Sequence, residues 1–171
     1  MESEERIRVL FIHGLESSPQ SRKAKVLATA FDAVTPGMDT SDFEGCVQQQ
    51  AEAISAHAPH VVVGSSFGGA VLAALMQRGL WTGPSLFLAQ AALKRGLEPA
   101  LPDTASVVIV HGRQDDVVDP EDSRRLAAAN NRSSVMLIEV EDDHSLHAST
   151  ANGQLIEWIK QLHRRAMESA G

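Results

Sequence analysis

The strongest constraint on the fold is an alternation. Short runs rich in Val, Ile, Leu and Phe recur at residues 8–13, 60–64, 84–89, 106–111 and 134–140, and segments of helical periodicity separate them. None of the runs shows the apolar/polar alternation of a half-solvated strand, so each reads as a strand buried on both faces, the habit of a parallel sheet. A weaker run over 32–35, ahead of Pro36-Gly37, reads as a short edge strand.

The helical segments carry their own signals. Ala24, Leu27, Ala28 and Phe31 share one face after a Ser18-Pro19 start, and Phe43, Val47, Ala51, Ile54 and Ala58 share one after Asp42, a candidate N-cap. Residues 67–78 form a third helix, apolar nearly all round. Asp119-Pro120 puts a capping carboxylate before a proline and starts a helix running to about Asn130. Leu155, Ile159, Leu162 and Ala166 align in the last one. Right-handed crossovers then give an α/β fold, a three-layer αβα sandwich with about six mostly parallel strands, expected to be one domain over 1–171. Residues 90–105, with Gly96, Pro99 and Pro102, are the one long irregular connection, expected at the carboxyl edge of the sheet, where ligands bind.

Charge and composition narrow the partners. The chain has 22 acidic and 15 basic residues, a net charge of −7, and its basic residues are scattered, which argues against nucleic acid. The longest apolar stretch, around Ala70 to Met76, is far shorter than the ~18 residues of a membrane span. The opening MESEERIRVLFIHG lacks the features of a secretory signal, and Cys46 has no second cysteine to pair with, so a cytoplasmic protein is expected. His144-x-x-His147 has no third partner at metal-ligand spacing, so neither a metal nor another cofactor is expected.

The chemistry concentrates at the strand ends. Gly64-Ser65-Ser66-Phe67-Gly68 joins a strand to a helix in the Gly-x-Ser-x-Gly pattern of a nucleophile elbow. There, glycines relieve a tight turn that lifts the middle hydroxyl above the sheet. Ser66 is that residue, and Ser65 is its rival. A serine needs a base and an orienting acid. Asp115 (rival Asp116) follows the fourth of the main runs, and His144 (rival His147) follows the fifth. Asp142 and Asp143 read as solvated loop carboxylates.

These motifs resemble those of the α/β-hydrolase superfamily, in particular its small lidless bacterial esterases. The similarity rests on His13-Gly14-Leu15-Glu16-Ser17-Ser18-Pro19, on Gly64-Ser65-Ser66-Phe67-Gly68-Gly69, and on His111-Gly112 with Asp115 and Val118 in the acid loop. It spans residues 7–162, lacks the two N-terminal strands of larger hydrolases and any insertion long enough for a cap, and delays the proline after Val118 by one residue, Asp119. The resemblance implies a minimal hydrolase fold and a serine hydrolase acting on short-chain esters or thioesters. Ser66 would be nucleophile, His144 base and Asp115 orienting acid, with the N–H groups of Leu15 and Phe67 forming an oxyanion hole. Glu16 and Gln90 are candidate substrate contacts. His13 and His111 are expected to brace loops. A peptidase or amidase with the same triad and a non-catalytic binding protein are the alternatives.

Overall fold

The computed structural model describes residues 5–15 and 17–170. Six strands form a single, wholly parallel sheet: β1 (Arg8–Ile12), β2 (Asp32–Val34), β3 (Val61–Ser65), β4 (Ser85–Leu88), β5 (Val107–Gly112) and β6 (Val135–Val140), in the order β2-β1-β3-β4-β5-β6. The edge strand β2 is the short one and is only partly covered, as its neighbouring proline and glycine suggest.

The apolar runs divide by residue parity, as a strand sandwiched between two layers requires. Leu10, Ile12, Val62, Phe87 and Ile109 point into one layer, with α2 (Phe43–His57), α3 (Phe67–Gln77) and α4 (Pro120–Ala128). Val9, Phe11, Val61, Val63, Leu86, Leu88, Val108 and Val110 point into the other, with α1 (Arg22–Ala30) and α6 (Gln154–Ala170). Helix α3 is buried from Phe67 to Met76, which explains its lack of a polar face.

Three details differ from the sequence expectation. Helix α1 begins at Arg22 because Ser21, rather than the Ser18-Pro19 pair, caps it by accepting the N–H of Ala24. An extra helix, α5 (His147–Ala151), precedes α6. Asp142, expected in solvent, is buried and accepts the N–H of Asp143 at 2.9 Å and of Ser149 at 3.0 Å, together with the Ser149 hydroxyl at 3.1 Å. Its carboxylate accepts from the free N–H groups at the start of α5, and no local periodicity marks so short a helix.

The chain leaves β1 toward β2 and then returns across β1 to β3, so the winding reverses between β1 and β3. In an open parallel sheet this reversal opens a crevice at the carboxyl ends of the two strands. The segments Gly14-Leu15 and Ser65-Ser66 stand there.

Candidate active site

Ser66 links β3 to α3 with φ 55° and ψ −114°, a left-handed conformation that costs a non-glycine residue about 1–3 kcal/mol. The backbone is held there on both sides. Its N–H donates to Leu88 O at 2.9 Å, and its carbonyl accepts the N–H groups of Gly69 at 2.9 Å and Ala91 at 3.0 Å. The close approach of α3 to the sheet needs glycine: a Cβ on Gly68 would stand 2.0 Å from Ile12 O, and one on Gly64 would stand 2.5 Å from Gly68 O. The elbow is therefore fixed by packing, with the strain borne at the hydroxyl-bearing residue.

Ser66 Oγ lies 3.0 Å from His144 Nε2, and His144 Nδ1 lies 2.8 Å from Asp115 Oδ2. A carboxylate only accepts, so Nδ1 carries the proton and Nε2 is left to accept the Ser66 hydroxyl proton. The other oxygen of Asp115, Oδ1, accepts the N–H groups of Val117 and Val118, each at 2.8 Å. The structure thus brings Ser66, His144 and Asp115 together. Ser65 lines the same cleft but is not the hydroxyl bonded to His144; Asp116 is exposed; His147 faces Arg22, with its ring nitrogens 3.0 and 3.1 Å from Arg22 Nη1.

A second chain of hydrogen bonds stands behind the acid. His111, fully buried, places Nε2 3.1 Å from Asp115 Oδ2 and 3.0 Å from Val118 O, while its Nδ1 lies 2.6 Å from Ser123 Oγ. Two acceptors at Nε2 assign the proton to that nitrogen, so Nδ1 accepts from the Ser123 hydroxyl. Ser123 in turn accepts the Gln90 amide N–H at 3.0 Å, and Gln90 Oε1 accepts the N–H of Ala92 at 2.8 Å. Every member of this buried row is satisfied. Gln90, expected to touch substrate, is instead wholly buried at the far end of the row and is not among the cleft-lining residues described. His111 does more than brace a turn. The signal was its position four residues before the acid, and the partner Ser123 carried none.

The loop bearing His144 is tied to the acid loop through backbone. Gln114 donates its N–H to Asp142 O at 3.0 Å, and a Cβ on Gly112 would stand 2.3 Å from that same carbonyl. On the opposite wall, Gly14 approaches the elbow so closely that a Cβ would touch Ser65 O and Ser66 Cβ at 3.4 Å. His13 holds this loop by donating Nδ1–H to Gly14 O at 2.8 Å. Phe67, the first residue of α3, has the N–H that a helix leaves unpaired, and its ring packs inward under the Arg95 guanidinium. Glu16 lies outside the described residues.

These elements bound a cleft of about 540 Å³ lined by Phe11, Leu15, Ser66, Val117 and His144, among others. No residue of the 90–105 connection is among the lining residues described, although Leu101 and Ala105 join the core. Among the described residues, no group of three or more His, Cys, Asp and Glu side chains is placed to hold a metal ion. No described helix is long and apolar enough to cross a membrane.

Residues 8–83 match a family described as "Uncharacterised protein family (UPF0227)". No curated protein matches the sequence. Solved structures do. One is a protein assigned to the alpha/beta hydrolase superfamily from Xanthomonas campestris pv. campestris, 26% identical, covering 86% of this chain and 92% of its own, with a TM-score of 0.71. A second is a serine hydrolase without a lid from Xanthomonas campestris, 17% identical over 96% of this chain and 85% of its own, with a TM-score of 0.70. Est1E from Butyrivibrio proteoclasticus is also similar, at 17% identity over 97% of this chain and 90% of its own, with a TM-score of 0.71. Sheet order, elbow and these likenesses together give the chain the α/β-hydrolase fold, with no cap inserted among the described residues.

Proposed function

We propose that this chain is a serine hydrolase of the carboxylesterase type, cleaving short-chain acyl esters or thioesters through an acyl-enzyme on Ser66. The observation that carries the reading is the unbroken row of hydrogen bonds from Ser66 Oγ through the His144 ring to Asp115. As the Ser66 oxygen attacks the acyl carbonyl, His144 Nε2 takes its proton and then gives it to the departing alkoxide or thiolate. Asp115 holds the imidazole in the Nδ1–H tautomer and stabilises the imidazolium. The oxyanion is received by the N–H groups of Phe67 and Leu15, one from the start of α3 and one from the loop after β1. Water activated by His144 then releases the acid.

The cleft, with no cap above it among the described residues, suits short or flexible acyl groups. The described neighbours include a serine hydrolase without a lid, which supports the same class. A cytoplasmic setting belongs to the proposal on the strength of one free, buried cysteine. The test is hydrolysis of a chain-length series of p-nitrophenyl esters by the wild type and by Ser66→Ala. Turnover of the short members that disappears in the variant is expected. Undiminished turnover by Ser66→Ala would overturn the assignment.

A further inference from the structure

The chain is acidic overall, yet the described lining of its cleft is not. Arg22, Lys23 and His147 line it together with Ser66 and His144, and no carboxylate is among the lining residues described. Arg22 forms no ion pair among the described residues, and its Nη1 reaches across from α1 to the His147 ring on α5. Lys23 donates from Nζ to Ser145 O, the carbonyl next to the base. Asp142 and Asp143 lie close enough to act on its charge, but they do so from outside the cleft: Asp142 is occupied in capping α5 and Asp143 in holding Ser145. Burial lowers the Lys23 pKa, so its charge is held in the wall at a cost in folding. The hydroxyl residues Ser17, Ser21 and Thr150 complete this wall.

A guanidinium is charged at every working pH and presents a fork of donors that fits a carboxylate or phosphate. We infer that the cleft selects esters bearing an anionic group, a carboxylate or phosphate, which Arg22 and Lys23 receive while the ester carbonyl meets Ser66. This rests on the esterase reading above. It sets against the protein's overall negative charge a local cationic pair at the one place where substrate must enter.

The test compares esters matched in length and leaving group. On the acyl side, p-nitrophenyl hexanoate is paired with mono-p-nitrophenyl adipate; on the alcohol side, phenyl butyrate is paired with 3-carboxyphenyl butyrate, whose meta carboxylate leaves the phenol's basicity nearly unchanged. The rate with Ser66→Ala is subtracted throughout. The wild type should prefer at least one anionic ester by about tenfold in kcat/KM, the size of one charge-assisted contact. The preference should shrink in 0.5 M NaCl, move toward one in Arg22→Gln, and invert in Arg22→Glu. A merely structural role for Arg22 would lower both members of a pair alike. Turnover of the neutral esters without an anionic preference overturns this inference and leaves the esterase reading standing. If no ester turns over, the esterase reading fails, and binding decides: monoethyl adipate should shift the His147 ring signals in NMR spectra where ethyl hexanoate does not, and equal or absent shifts overturn the inference.

Discussion

His111 Nε2 lies 3.1 Å from Asp115 Oδ2, the oxygen that also receives the His144 Nδ1–H at 2.8 Å. With Val117 and Val118 on the other oxygen, the carboxylate accepts three hydrogen bonds in a buried site, and the His111 ring stands against it. These contacts hold and aim it, and His111 is a positioning residue for it.

Replacing His111 with Phe should therefore lower kcat/KM by about tenfold, the equivalent of one polar contact to a charged group at ~1.5 kcal/mol. The loss should fall on kcat, and KM should change little. His111→Gln, whose amide can reach the Nε2 position, should recover part of the loss; equal losses in both variants would mark a packing role only.

The strain at Ser66 gives a second prediction. Its φ of 55° suits glycine, so Ser66→Gly should be more stable than Ser66→Ala by about 1 kcal/mol in urea denaturation, although both lack the hydroxyl. Equal stability would mean that the turn relaxes once the serine is gone.

Gly112 couples the two loops of the site. Alanine there would press on Asp142 O and Asp143 O and push the His144 loop away from Asp115. Gly112→Ala should lose activity by at least tenfold with a destabilisation of about 1–3 kcal/mol, measured by ester turnover beside thermal unfolding. A destabilised but fully active variant would contradict the coupling.

Lys23 makes a pH prediction whose sign follows from burial. Its pKa is below the usual lysine value in the folded chain, chiefly through desolvation, with Asp142 and Asp143 opposing. The unfolded chain thus binds the proton more tightly, and Lys23 contributes an instability that is fully present below its lowered pKa. That instability is relieved as pH rises toward the ordinary value. Relative to Lys23→Met, the wild type should gain stability between neutral pH and about pH 10.5. A gap that stays constant or widens against the wild type would contradict this.

The sheet was legible because buried strands flanked by helices leave a pattern in every segment. Val61, Val62 and Val63 cannot alternate when both faces are covered, and Asp42 and Asp119 cap the helices they precede. The Ser66, Asp115 and His144 positions were legible as strand-end residues in order. What stayed hidden depends on contacts far apart in sequence. Gln90 is removed from the cleft by Ser123, 33 residues away, and Arg22 reaches His147 across 125 residues. Asp142 looked like any loop carboxylate because only the folded loop brings Ser149 to it.

The proposed chemistry stands or falls with Ser66 as the activated nucleophile. Its most direct test is treatment of the wild type with a fluorophosphonate, followed by peptide mapping of the adduct by mass spectrometry. One adduct is expected, on Ser66, lost in Ser66→Ala and strongly slowed in His144→Ala. An adduct on Ser65, or a wild type that never labels under conditions where it is folded, would contradict it.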